Sequence, residues 1–172
     1  MSKFKEYIRR YLLSKHAYKG KTALSSLKGM RTATILLDVC EDDLFLFKEM
    51  IYAYFKEQGI ATSFYYFDFR KKEKNMAQLS APADTITRKQ LSCYTGRPNM
   101  KSMNPLFFQK SDIFISFIRE DSYALKYFCS IAPASFKIGA LEGEQYCYDL
   151  VVAAEDNKQM FACMKDILAK IS

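Results

Sequence analysis

The stretch from Thr34 to Asp43 constrains this chain more than any other. It reads Thr-Ile-Leu-Leu-Asp-Val-Cys-Glu-Asp-Asp, and Leu44-Phe-Leu-Phe-Lys-Glu-Met-Ile51 follows at helical spacing. Residues suited to a buried strand end at an acid, a turn follows, and a 3.6-residue period begins. That is a strand feeding a helix, the first half of a βαβ unit.

The rest of the chain repeats the theme. Strands are expected at about 33–38, Ile60–Phe67, Asp112–Phe117, Phe136–Gly139 and Tyr148–Ala153. Helices are expected at about 42–58, closed by Gly59, at about 122–131, capped by Asp121 or Ser122, and from Asp156 or Asn157 onward. Pro133 forbids continuation of the second of these. Asp68 to Asn75 is a charged run that should be exposed, and Ala81–Asp84, Thr95–Asn99 and Glu142–Glu144 read as turns. Residues 76–104 form an excursion between sheet strands in which Thr85-Ile86-Thr87 suits a short strand, and Pro105 opens a short helix. The order β-α-β-excursion-β-α-β-β-α predicts an α/β three-layer sandwich. Its sheet is mostly parallel and five-stranded, in flavodoxin-like or Rossmann-like order. Only about eight residues join the last two strands, which allows antiparallel pairing at one edge.

At 172 residues and 49% apolar, the chain suits one well-buried domain. Its charge is uneven. Residues 1–31 carry nine Lys or Arg against the single acid Glu6, an excess of eight; residues 32–172 carry 17 basic and 18 acidic side chains, a deficit of one. The division is therefore a basic amphipathic arm and linker, 1–31, and a charge-neutral α/β domain, 32–172. In the arm, Phe4, Tyr7, Ile8, Tyr11 and Leu12 recur at helical spacing over about 3–17, with Lys3, Lys5, Arg9, Arg10 and Lys15 on the other face; Lys19 and Lys21 follow in the linker. Such a helix either packs its stripe on the domain and leaves its charges to water, or contacts nucleic acid or an anionic membrane surface.

No apolar run approaches the roughly 20 residues of a membrane span, and the start lacks the apolar core of a secretion signal, so a cytoplasmic location is expected. The five cysteines (40, 93, 129, 147 and 163) form no CxxC pair and read as reduced, with Cys129 and Cys163 as small core residues.

Candidate chemistry is sparse. A dinucleotide site needs glycines in the first βα turn; here Asp38, Glu41, Asp42 and Asp43 stand there and would repel a phosphate. The same acids suit Mg²⁺, with Asp121 as the nearest converging partner, but the helix dipole already accounts for Asp42 and Asp43. No metal or cofactor is assigned. His16, the single histidine, lies in the arm, which argues against histidine-based catalysis, and no catalytic residue is assigned. In an open parallel sheet, ligands lie beyond the C-terminal strand ends, so Asp38, Cys40, Arg70, Arg119 and Asp121 form a possible ligand rim, with Arg119 best suited to an anion. The plainer reading of that rim is a surface ion-pair cluster.

The basic first helix, Thr34-Ile-Leu-Leu-Asp38, Asp112-Ile-Phe-Ile-Ser-Phe117, Ser135-Phe-Lys-Ile-Gly139 and Tyr148-Asp-Leu-Val-Val152 together resemble a family of small uncharacterised Bacteroidetes proteins, a domain of unknown function. The resemblance implies a cytoplasmic, Rossmann-like protein and supplies no activity. The chain thus reads as a non-catalytic binding protein whose arm (Lys3, Lys5, Arg9, Arg10, Lys15, Lys19 and Lys21) contacts RNA or a ribonucleoprotein. The alternatives are a small-molecule enzyme or sensor using the rim, and a peripheral membrane protein held by the arm.

Overall fold

The computed structural model describes residues 3–68, 82, 84–92, 97, 99, 105–140 and 147–171. Among these residues six strands are formed: β1 Thr32–Asp38, β2 Ala61–Asp68, β3 Thr85–Thr87, β4 Ser111–Ser116, β5 Ala134–Gly139 and β6 Leu150–Val151. Four α-helices accompany them: α1 Lys3–His16, α2 Leu44–Glu57, α3 Tyr123–Ile131 and α4 Asn157–Lys170.

Ile35, Leu36 and Leu37 of β1 have no exposed surface, so the strand needs cover on both faces and partners on both edges. It pairs with β2 on one side and β4 on the other in a single sheet of order β3-β2-β1-β4-β5-β6. Side chains alternate across it. Ile35 and Leu37 point, with Ile113, Ile115 and Ile138, into a core closed by Phe47, Ile51 and Phe55 of α2 and by Met160, Phe161, Met164 and Leu168 of α4. Leu36 and Phe114 face the other way, toward Leu125, Phe128 and Cys129 of α3 and toward Phe107 in a short 3-10 turn. The sheet therefore lies between α2 and α4 on one face and α3 on the other. Among the described residues, no helix is long and apolar enough to cross a membrane.

The helix ends follow from the sequence. The Ser122 side chain caps α3 by accepting from the Leu125 amide, and Asp156 caps α4 by accepting from the Gln159 amide. Gly59, at φ +70°, supplies the left-handed turn after α2.

Three expectations change. The sheet has six strands rather than five, because Thr85-Ile-Thr87, rich in β-branched residues, adds to the edge of β2 with Ile86 buried. The β5–β6 edge is parallel rather than antiparallel: the Asp149 carboxylate and amide grip both backbone groups of Lys137, so the chain sets out beside β5 in the same direction. β6 is correspondingly short. Helix α2 starts at Leu44, since Asp43 is left-handed (φ 54°) and cannot belong to it. The expected charged run at 69–75, most of the 76–104 excursion, the turn at 142–144, Arg70 and Cys93 lie outside the described residues.

Gly139 closes β5 where Tyr148 crosses it, and a Cβ there would overlap the Tyr148 ring. Gly139→Ala is expected to push that ring out of its place and cost about 1–3 kcal/mol. A urea melt should show a lower midpoint with an unchanged slope.

Candidate functional site

The order β2-β1-β4 means that the chain leaves β1 toward α2 on one face and leaves β4 toward α3 on the other. The two departing loops part at this point, at the C-terminal ends of β1 and β4, the usual ligand position in such sheets. Asp38 ends β1, and its carboxylate accepts from the Cys40 amide at 2.8 Å, so it shapes the turn. Glu41 receives a hydrogen bond from Asn157 Nδ2 of α4, and Asn157 Oδ1 accepts from Arg119 Nε at 3.1 Å. Arg119 Nη1 donates to the Ala154 carbonyl at 2.6 Å, while its Nη2 is buried with no partner. Partial burial holds the Glu41 carboxyl above the usual carboxylate range; Asn157 and Arg119 oppose this, while Asp38 and Asp42 reinforce it.

Asp38, Cys40 and Arg119 therefore do share the rim. Asp121 turns away and pairs with Lys126 of α3 at 2.8 Å. Among the described residues, no three His, Cys, Asp or Glu side chains are grouped to hold a metal ion. Glu41 and Asn157, which position Arg119, do not stand out in the sequence, where Asn157 reads only as a possible helix cap.

The arm is two-sided. Toward the body, Leu13 of α1 is buried, Ile8 and Leu12 are half-buried, and the helix packs on α3. The Arg9 guanidinium lies 4.7 Å over the Tyr123 ring, and His16 stacks obliquely near Tyr127. Burial, with Arg97 and Lys15 nearby, holds the His16 pKa below its usual value. Away from the body, Phe4, Tyr7 and Tyr11 are 67%, 69% and 52% exposed. Lys3, Arg10 and Lys15 are exposed among them, with Lys15 Nζ 5.5 Å over the Tyr11 ring and Arg10 paired to Glu6 at 3.4 Å. The aromatic part of the apolar stripe thus faces solvent, because a helix lying on α3 can turn only one side toward it. Lys5 is half-buried; Lys19 and Lys21 are exposed.

The segment read as a linker is fastened to the body. The Tyr18 amide donates to the Ser130 carbonyl, Thr22 Oγ1 to Asp149, and the Ala23 amide to the Ser135 carbonyl, and Leu27 and Met30 are buried in the α2/α4 core. Beneath Tyr18 lies Lys137, 6% exposed, whose Nζ donates to the carbonyls of Cys129 and Ser130 at 2.8 and 2.9 Å. These carbonyls belong to the last turn of α3, so the ammonium caps the negative end of that helix while facing the Tyr18 ring at 5.8 Å. Beside it, Cys129 Sγ and Tyr148 Oη are 3.1 Å apart. Burial pushes the Cys129 thiol up to about 11 and the Tyr148 phenol well above its normal value, so both stay protonated. The same burial pulls Lys137 down to about 8. Sequence reading passed over Lys137 because its strand pattern, alternating around Phe136 and Ile138, does not mark it as buried.

The architecture is that of an open parallel α/β sheet with charged side chains where its strand order reverses and helix α1 packed on α3. The chain belongs to a family of unknown function, DUF6913, whose model matches residues 3–171. No curated protein and no solved structure matches the chain.

The folded-state pKa of Lys137 lies below its unfolded value of 10.5, so the folded chain releases that proton first as pH rises. Wild type should therefore gain stability relative to Lys137→Met between about pH 8 and pH 10.5, by up to roughly 3 kcal/mol. Chemical melts of both proteins across that range test this; the other titrating groups are common to both and largely drop out of the difference.

Proposed function

We propose that this is a binding protein whose N-terminal helix holds RNA, free or within a ribonucleoprotein. The observation that carries this is the outer face of α1, where Phe4, Tyr7 and Tyr11 stand exposed among Lys3, Arg10 and Lys15. Exposed rings offer stacking platforms to unpaired bases, and the cations between them neutralise phosphates. The charge excess of residues 1–31 supplies long-range attraction that the neutral body does not. A lipid surface is less well matched, because the aliphatic residues Ile8, Leu12 and Leu13 are turned inward and the outer rings are mostly tyrosines. The reading carries with it a cytoplasmic location and a flavodoxin-like scaffold, with β3 as an added edge strand.

Deleting residues 1–31 would also remove Leu13, Leu27 and Met30 from the interior, so point variants are the cleaner probe. For a short unstructured RNA, affinity should fall with salt. Replacing Lys3, Arg10 and Lys15 together by Ala should reduce the log–log slope by about 2. Tyr7→Ala with Tyr11→Ala should weaken binding about 10–100-fold and leave the slope unchanged. Affinity indifferent to salt and to all five substitutions would refute the reading, and binding to anionic vesicles but not RNA would transfer the arm to a membrane role.

A second reading, a small-molecule site at the rim, draws support from the buried, unpartnered Nη2 of Arg119 at the switch point. The surrounding acids Asp38, Glu41 and Asp42 disfavour a highly charged anion, so the fitting ligand presents a single hydrogen-bond acceptor to Arg119. A thermal-shift screen of small monocarboxylates and neutral carbonyl compounds tests it. A stabilising compound should lose its effect in Arg119→Met, and an effect retained in that variant would place the compound elsewhere.

A further inference from the structure

Cationic side chains from distant parts of the sequence meet along the seam where α1 packs on α3. The Arg9 guanidinium lies over the Tyr123 ring. One turn along α3, Arg97 lies 5.7 Å over the Tyr127 ring and donates to its hydroxyl. The His16 ring is 6.1 Å from that of Tyr127, and the two tyrosine rings are 6.1 Å apart. Arg9, His16 and Arg97 are all half-buried. Arg9 and Arg97 both lower the Tyr123 pKa against the rise that burial imposes, so both stand near its hydroxyl.

Bringing cations together is unfavourable unless something negative offsets it. Among the described residues, every formally charged group that acts on Tyr123, Tyr127 or His16 is a cation, namely Arg9, Arg97 or Lys15. The acids nearest in sequence are engaged with other bases, Glu6 with Arg10 and Asp121 with Lys126. The Tyr123 hydroxyl is buried and has no hydrogen-bond partner, a costly state for a group that can donate. A guanidinium carries five N–H donors, and stacking on a ring consumes none of them. Arg9 and Arg97 therefore keep donors for a ligand alongside any bonds within the chain.

We propose that Arg9, Arg97 and Tyr123 form a phosphate-binding site at the α1–α3 seam, with His16 beside it. A phosphate group offers several acceptor oxygens, pointing in different directions, to donors that converge from α1, α3 and Arg97. A planar carboxylate, with two oxygens, is satisfied by one guanidinium. The site uses none of the outer-face residues Lys3, Arg10 and Lys15, so it does not depend on the RNA reading. The phosphate is either a free ion or small ester, or the end of an RNA.

The chain has one histidine, so its ring-proton NMR signal reports this seam without overlap. In the full chain at about pH 7, inorganic phosphate exchanged against chloride at constant ionic strength should shift that signal saturably. Half-saturation should fall below about 10 mM, as befits so small a ligand. Arg9→Gln and Arg97→Gln should each weaken binding about 10-fold or more, through loss of a charge-assisted contact. Arg97 lies outside both helices, so its variant tests the site even where Arg9→Gln loosens α1. Tyr123→Phe, which keeps the ring under Arg9, should weaken binding about 3–10-fold. Lys3→Ala with Arg10→Ala should change it by less than about 3-fold. No shift up to about 20 mM phosphate, twice the weakest half-saturation expected, overturns the proposal. So does a shift weakened as much by the outer-face pair as by Arg97→Gln, because that is diffuse attraction to the whole arm. Short RNA with a 5′-phosphate, set against the same RNA with a 5′-hydroxyl, identifies the source. Tighter binding that Arg97→Gln abolishes assigns the site to an RNA end. Equal binding, with the phosphate shift intact, assigns it to a free phosphate or small ester.

Discussion

A strand buried on both faces and paired on both edges can slip by no residue without turning its interior side chains outward. β1 is such a strand, and its register with β2 and β4 is set by Ile35, Leu36 and Leu37, each of which has a filled place waiting on one face or the other. The entry into β1 is fixed separately. Asp112, next to the start of β4, accepts with one carboxylate oxygen from the Arg31 amide, the Thr32 amide and the Thr32 hydroxyl, at 2.8, 2.9 and 3.1 Å. Burial alone would raise its pKa, but these bonds win and hold it below the usual carboxylate value. The carboxylate thereby ties the last residue of the N-terminal segment to the central strands.

From that point the placement of both candidate surfaces follows. With β1 set between β2 and β4, its loop and the β4 loop must leave toward opposite faces, and Arg119 is carried to where they part. Toward the N-terminus, the chain is led from Thr32 back across β5 to the end of α3. Lys137 waits there, bonded to the same Ser130 carbonyl that receives the Tyr18 amide. A buried ammonium without a carboxylate in direct contact is costly to desolvate, and here two helix-terminal carbonyls and an aromatic face offset part of that cost. The attachment of the arm therefore depends on a side chain far from it in sequence.

The local signals in the sequence proved reliable wherever one residue type had one job. Ser122 and Asp156 capped helices, Gly59 turned the chain, and the aliphatic run at Ile35–Leu37 made a core strand. What sequence could not show was which neighbour each element would meet. Thr85-Ile86-Thr87 has the composition of a strand, but a three-residue strand joins a sheet only if an edge is free beside it, and that edge belongs to β2. In α1, Tyr7 and Ile8 are equally apolar by pattern, yet the direction of α3 turned Ile8 inward and left Tyr7 in water. The rim was half legible: strand ends located Asp38, Cys40 and Arg119, whereas the Glu41–Asn157–Arg119 chain spans more than a hundred residues and leaves no periodic trace.

The sheet also separates two kinds of surface that composition alone averages together. On the α3 side, cations and aromatic rings alternate along α1, and on the α2 side apolar residues stand with balanced charge. Both expose large side chains, but their electrostatics differ in a way that matters for recognition. In solvent a positive potential of the arm reaches about 8–10 Å at physiological salt before mobile ions screen it, so it acts on whatever approaches that side. The α2 face has no such field and relies on contact, where shape decides what fits. A chain with its charge at one end and exposed apolar side chains on the opposite side of the sheet thus presents two surfaces whose recognition chemistries do not overlap.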